Sequence, residues 1–392
     1  MTGSRVRLSS VANVVREGID PRHVVPGTRY VGLEHISGDG SFSDAAKIEA
    51  SELASTKFAF TDKHVLFGKL RPYLRKTVRP NFSGICSTDI IPIAPSKDLD
   101  RDYLFHFLRT DEVVGLATSM ASGANLPRIS PKHLIDFEIP LPPLDEQRRI
   151  AAILDQADAL RRKRRETLGH LRSLSGTLFI SKFGDLVANE RKWPAGQISD
   201  LVAGFESGKS LVADDVESTV SPYRVLKISA VTSLRFQPSA SKALPENYEV
   251  PEHHFVRFGD LLFSRANTAE LIGATAYVDV PCDGLALPDK LWRFCWHNAE
   301  ESYPLFIWQL FMQRSLRDQI QRRATGTSGS MKNISQGKVL GIEVGIPDPK
   351  LQRSFSEQFA AIREAERQSE KHLAHLDALF ASLQHRAFRG EL

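Results

Sequence analysis

The second half of this chain repeats the first. Displaced by 205 positions, residues 129–185 fall on residues 334–390 without a gap. Identities occur at Ile129/Ile334, Ser130/Ser335, Glu138/Glu343, Pro142/Pro347, Gln147/Gln352 and Arg148/Arg353, and again at Arg162/Arg367, Leu168/Leu373, His170/His375, Leu171/Leu376, Leu174/Leu379, Leu178/Leu383 and Phe183/Phe388. Earlier segments match more loosely: LSSVANVVREG resembles ISDLVAGFESG, and VLFGKLRP shares its hydrophobic frame with LLFSRANT. A repeat unit this long is a duplicated globular module followed by a long helix, not a turn of a solenoid. The 392 residues are enough for two such modules, each with its own core.

The two helical segments share one periodicity. Ile150, Leu154, Ala157, Arg161, Arg164, Leu168, Leu171, Ser175 and Leu178 advance by alternating steps of four and three. So do Phe355, Phe359, Ile362, Glu366, Ser369, Leu373, Leu376, Phe380 and Leu383. That is heptad spacing, which offers one seam to a partner helix. Both seams turn polar midway, and antiparallel packing is expected to set Arg161 and Arg164 near Glu366 and Glu370, where opposite charges fix register while adding little stability. About 38 helical residues span roughly 57 Å, longer than one DNA turn of about 34 Å, so the central helix reads as a spacer.

Within each module, VLFGKL, GICSTDIIPIA, YRVLKIS, DLLFSR and TAYVDV read as strands between turn-forming residues. DYLFHFLRTDEVVGLATS and YPLFIWQLFMQRSLRDQIQRR read as helical stretches. The fold class expected is α+β: two tandem α/β modules joined by a pair of long antiparallel coiled-coil helices. The boundaries read as 1–144 and 186–345 for the modules, and 145–185 and 346–392 for the helices.

Net charge is only +4, but it is unevenly spread. Residues 145–182 hold nine Lys or Arg against five Asp or Glu, and residues 63–79 hold six basic residues and no acidic one. Basic stripes on a near-neutral background suit a polyanion such as DNA. Cys86, Cys282 and Cys295 form no CxxC pair, which argues against a disulfide framework or a zinc site. MTGSRVRLSS has no apolar core for a signal peptide, and no run approaches the roughly 18 apolar residues of a membrane helix. The chain reads as cytoplasmic, with no membrane partner.

The stretch AGFESGKS, ending at Lys209 and Ser210, satisfies a permissive phosphate-loop pattern. A phosphate loop needs a buried strand before it and a helix opening at the lysine. Here WPAGQISDLV reads as a turn and a helix, and no helical stripe follows, so Gly208 reads as a turn former. HExxH, GxSxG, CxxC, the target-base motif of amino-methyltransferases and a glycine-rich loop suited to S-adenosylmethionine are all absent from the sequence. Adjacent His253 and His254 would face opposite sides of a strand and make a poor metal pair. No metal, cofactor or catalytic residue is therefore expected on this chain.

The modules do carry polar groups suited to reading a nucleic acid. GKLRPYLRK supplies Lys69, Arg71, Tyr73, Arg75 and Lys76, and an extended backbone there would project Tyr73 and Arg75 from one face. The corresponding SRANTAE offers Arg265, Asn267 and Thr268. Matched loops SGANLPRIS and TSGSMKNIS add Asn125, Arg128, Lys332 and Asn333. Arginine bonding to guanine and asparagine to adenine are common direct-readout pairs.

With the duplication and PLPPLDEQRRIAAILDQADALRRKRRE in view, the chain resembles the specificity subunits of type I restriction-modification systems over essentially its whole length. VLFGKLRPYLRK with GICSTDIIPI, and GDLLFSRANTAELIG with LPDKLWRF, look like segments of that family's target recognition domains. The second copy departs from the pattern, reading GIPDPKLQRSF where the first has LPPLDEQRRI. The resemblance implies a bipartite double-stranded DNA target with a non-specific spacer. It also implies two methyltransferase subunits holding S-adenosylmethionine, and restriction subunits that use ATP and Mg. Catalysis would then lie with partners. Gln147, Arg148, Gln352 and Arg353 could cap helices or touch those partners. The competing readings are a coiled-coil scaffold without a DNA role and a nuclease or ATPase using Gly208, Lys209 and Ser210.

Overall fold

A computed structural model describes residues 4–42, 55–209, 222–245, 248–326 and 331–392. The chain divides into two compact units, one of residues 1–166 with 370–392, the other of residues 167–369.

The first unit is built on an antiparallel sheet in the order Ala12–Val14, Ile90–Pro95, Val65–Gly68, Thr77–Val78. Val65–Gly68 is buried along its length, as a β-rich run in the middle of a sheet should be. A second sheet runs Gly18–Ile19, Lys57–Phe60, Gly84–Cys86, Tyr30–Val31, with the last pair parallel. Arg5–Arg7 pairs with Glu138–Pro140, tying the start of the chain to the entrance of the central helix. The single helical stretch expected at 102–119 is two helices, Arg101–Leu108 and Asp111–Ser119. Thr110 makes the break: its hydroxyl accepts from Val113 N at 3.3 Å, a cap that starts a new helix and stops the old one.

The second unit repeats the main sheet as Gly204–Ser207, Leu291–Cys295, Leu261–Ser264, Thr275–Tyr277. Its smaller sheet runs Ser241–Ala243, Arg224–Leu226, Leu285–Ala286, again with one parallel pair. Ala195–Gln197 pairs with Glu343–Gly345 in the manner of the first unit's closing ribbon. The expected second helical stretch is likewise broken, into Pro304–Met312 and Arg314–Arg323.

The long helices run Leu144–Phe183 and Pro349–Ala387, 40 and 39 residues. Both begin on the same device. Gln147 and Gln352 are buried, and each donates from Nε2 to the proline carbonyl five residues back, Pro142 O and Pro347 O, both at 2.8 Å. Gln147 also accepts from Asp100 N at 2.8 Å and donates to Asp98 O at 3.0 Å. Of the roles left open by the sequence, anchoring falls to the glutamines, while Arg148 and Arg353 stay exposed.

The thirteen apolar seam residues are buried or half-buried, but the ends of the seams serve the module cores. In the first unit Ile150, Leu154, Ala157 and Phe380 join Tyr103, Phe105 and Phe107, with Leu383 packed against that cluster and Leu373 and Leu376 half-buried. In the second, Phe355 and Phe359 join Phe179, Phe183 and Phe306; Leu178 packs against the same cluster, Leu168 is buried, and Leu171 and Ile362 are half-buried. Phe179 and Phe183 meet Phe355 edge-on at centroid distances of 5.4 and 5.5 Å. In each unit the two helix segments run antiparallel.

At the polar break of the seams, Arg161 and Glu366 are each held by ion pairs. Arg161 lies over the Phe380 ring at 4.3 Å, bonds Asp158 at 3.0 Å one turn back on its own helix, and reaches Asp377 at 2.6 Å. Glu366, in the second unit, is taken by Arg363 on its own helix and by Arg235 at 3.1 Å from the module.

Candidate nucleic-acid interface

In the first unit the structure brings the two candidate loops together through backbone. Ile129 N donates to Lys69 O at 3.0 Å, and Arg71 N donates to Pro127 O at 2.8 Å. Ser122 and Arg128 exchange bonds of 2.9 and 3.0 Å across the base of the second loop. Lys69, Arg71 and Asn125 thus lie on two neighbouring loop segments joined through backbone.

The chain between them is not extended. Pro72–Leu74 is one 3-10 turn, flanked by Arg71 at φ 50° and Arg75 at φ 54°, both left-handed. Two non-glycine residues in that region carry strain that the packing around them must hold, an arrangement that recurs at functional sites. The expected common face of Tyr73 and Arg75 is lost in consequence. Tyr73 and Leu74 stand exposed at the tip, whereas Arg75 turns back to Asp111 and to Arg109 O at 3.2 Å. Lys76 turns back as well, donating to Leu33 O at 2.6 Å. Arg71 remains exposed, its side chain at 3.5 Å from Asn125 O.

The second unit uses the same frame. Ile334 N donates to Arg265 O at 3.0 Å, and Thr325 and Asn333 exchange two bonds of 2.8 Å. Ala266 and Asn267 pair with Asn333 and Lys332. Asn267, expected to read a base, is buried; its Nδ2 donates to Ser264 Oγ at 3.2 Å and its Oδ1 accepts from Thr268 N at 2.8 Å. Its side chain closes the turn. Thr268 and Asn333 are exposed, and Lys332 donates to Gly326 O at 3.1 Å. Part of the second loop, residues 327–330, lies outside the described residues.

Behind each loop pair sits an aspartate that the sequence reading passed over. Asp89 accepts from Arg128 Nε at 2.9 Å and Nη2 at 3.3 Å, with Lys69 Nζ at 3.6 Å. The Arg128 bond holds the Asp89 carboxyl below its usual range. In the second unit Asp289 lies 3.7 Å from Arg265, and its carbonyl accepts from Arg265 Nε at 2.7 Å. The signal lies in STDII and LPDKL, each with an aspartate just ahead of a central strand.

The phosphate-loop reading does not survive the geometry. Gly208 follows a strand, Gly204–Ser207, and its N–H donates to Pro288 O at 3.2 Å instead of facing outward. A Cβ there would lie 1.6 Å from Leu287 O, so glycine is required by close backbone approach. Ser210 lies outside the described residues. His253 and His254 sit on a short 3-10 turn, one exposed and one buried. Among the described residues no group of three or more His, Cys, Asp or Glu is placed to hold a metal, and no helix is long and apolar enough to cross a membrane.

Residues 59–169, which hold the first loop pair and the start of the central helix, match the family described as the type I restriction modification DNA specificity domain. The chain is similar to the specificity subunits of type I restriction enzymes. It is 29% identical over 215 residues to the specificity subunit of the type I restriction enzyme EcoDI of Escherichia coli, covering 53% of this chain and 47% of that protein. The match therefore spans about half of that relative's length. Against the EcoKI specificity subunit of Escherichia coli strain K12 it is 27% identical, covering 80% of this chain and 69% of the relative. The fold is that of a type I restriction-modification S subunit from M. genitalium, at TM-score 0.60 and 15% identity over 99% of both chains.

Proposed function

We propose that this chain is the DNA-recognition subunit of a type I restriction-modification complex, without catalysis of its own, and that it reads a split target with one half assigned to each unit. The observation that carries this reading is the doubled loop pair. The same backbone tie occurs at Ile129–Lys69 and Ile334–Arg265, yet the side chains it displays differ between copies. A duplicated frame with divergent exposed groups is what two readers of two different half-sites require. The family match over residues 59–169 supports the same assignment.

The exposed or half-exposed groups of these loops form the proposed contact set. They are Lys69, Arg71, Tyr73, Asn125 and Arg128 in one unit, and Arg265, Thr268, Lys332 and Asn333 in the other. Arg75, Lys76 and Asn267 support the loops from within. The two modules are the recognition domains and the long helices the spacer. Two methyltransferase subunits would bring S-adenosylmethionine, and the restriction subunits ATP and Mg, in the cytoplasm.

Adenine-methylation mapping tests this directly, comparing cells that express this chain with its neighbouring methyltransferase subunit against cells that lack this chain. A new split motif is expected. Arg71→Ala should alter one half only and Thr268→Ala the other. Unchanged methylation with an active partner present would overturn the proposal and favour a scaffold role.

A further inference from the structure

We propose that Asp89 and its counterpart Asp289 are internal stand-ins for DNA phosphate, holding the loop cations in a partly neutralised state until a nucleic acid displaces them. The inference rests on the DNA-recognition reading and goes beyond it, because it assigns these two aspartates a role in restraining affinity. They act through their neighbours and are positioning residues.

The geometry is that of a phosphate contact made inside the protein. Arg128 offers two nitrogens to the two oxygens of Asp89, at 2.9 and 3.3 Å, the forked arrangement guanidinium groups make with carboxylates and phosphates alike. Lys69 Nζ stands 3.6 Å from the same carboxylate, as a point charge. All three side chains are partly solvent-accessible, at 26% for Asp89, 24% for Lys69 and 41% for Arg128, so an incoming anion can reach them. Asp289 and Arg265 repeat the pair at 3.7 Å, with 29% and 32% exposure. The cations sit on the two loops that backbone bonds have already joined, so the aspartate is not needed to assemble them.

Two opposite consequences separate this role from a structural one. A carboxylate that merely holds the loops would weaken DNA binding when removed. A phosphate stand-in would strengthen non-specific binding, since the freed cations can each take a phosphate and release a counterion. Each added contact steepens the log–log salt dependence by about 0.9.

The test measures binding of the full chain to a random-sequence 30-base-pair duplex as a function of salt, for the unsubstituted protein, Asp89→Asn, Asp89→Glu and Asp289→Asn. Asp89→Asn is expected to bind at least about threefold tighter at low salt, with a slope steeper by about 0.9 to 1.8 for one or two freed cations. Asp289→Asn should add about 0.9, and Asp89→Glu should restore the original slope. Thermal unfolding of each variant shows that the fold is retained; if Asp89→Asn fails to fold, Asp289→Asn carries the test. Unchanged or weakened binding in folded aspartate variants overturns this inference and leaves the DNA reading standing. No salt-dependent affinity in the unsubstituted chain overturns the DNA reading, and this inference with it.

Discussion

The two units share a frame but not their chemistry. Both close with a ribbon at the helix entrance, order the main sheet identically and tie their loops with corresponding backbone hydrogen bonds. Their polar contacts have diverged. The first unit's aspartate takes two cations, Lys69 and Arg128; the second's takes Arg265, and the residue equivalent to Arg128 is Asn333. In the first unit the helix sends Asp155 out to Arg79 and His106 of the module. At the same register the second unit has Ala360, exposed, and the helix reaches its module instead through Arg363 to Asp279 and Glu366 to Arg235. Backbone geometry has persisted through duplication where side-chain pairing has been free to change.

The largest effect that would sharpen this comparison concerns the buried carboxylates at the polar break. Glu366→Gln should destabilise the chain by about 3 kcal/mol, because it strips a desolvated charge from Arg363 and removes the Glu366 contact to Arg235 of the module. Asp158→Asn should cost less, since Arg161 and Arg162 lie on its own helix and Arg161 keeps Asp377. Denaturant unfolding decides, and equal costs would show that the module contact at Glu366 adds nothing.

Next come the helix anchors. Gln147→Ala removes three hydrogen bonds and should cost about 2–3 kcal/mol. Gln352→Ala, with its one bond to Pro347 O, should cost about 1 kcal/mol. The reverse order would mean that the second helix entrance depends on its glutamine more heavily than its bonding suggests.

Acid should affect the first unit's helix contact and spare its counterpart at Ala360. Burial opposes ionisation of Asp155, yet hydrogen bonds from His106 and Arg79 outweigh it and hold the carboxyl at about 2. A folded value below the unfolded one of about 3.9 means stability that is present above pH 4 and lost as pH falls towards 2. Asp155→Asn should therefore cost about 1 kcal/mol at neutral pH, after allowance for partial exposure, and almost nothing near pH 2. A variant whose penalty persists at pH 2 would assign Asp155 a packing role.

The smallest effects belong to Leu174 and Leu379, equivalent positions that are both exposed. Leu174→Ser and Leu379→Ser should each change stability by less than about 0.5 kcal/mol. A larger loss in one alone would reveal an asymmetry between the helices that their exposure does not show.

Much of this architecture was legible in the sequence because it is written in periodicity. The gap-free repeat, the seam steps of three and four, and strands such as VLFGKL and DLLFSR each depend on local pattern. The helix breaks at Thr110 and Gln313 were hidden, since the surrounding residues suit a helix and the break comes from one cap or one backbone angle. The loop sites were half legible. GKLRPYLRK and SGANLPRIS are the segments that backbone bonds bring together, but nothing local predicts that Arg71 and Arg75 adopt left-handed backbone and turn Arg75 away. Asp89 and Asp289 were missed because their partners are remote: Arg128 is 39 positions from Asp89, and Arg265 is 24 from Asp289.

The tie between the loops is made of peptide groups, and this has an evolutionary consequence on the DNA-recognition reading. Ile129 N–H to Lys69 O, and Ile334 N–H to Arg265 O, persist whatever side chains stand at positions 71, 73, 125, 268 or 332. Those positions can mutate as movable type does in a fixed frame, one letter at a time. A lineage carrying this chain could drift to a new target through single substitutions, each leaving a folded intermediate, and it could do so in one half without disturbing the other.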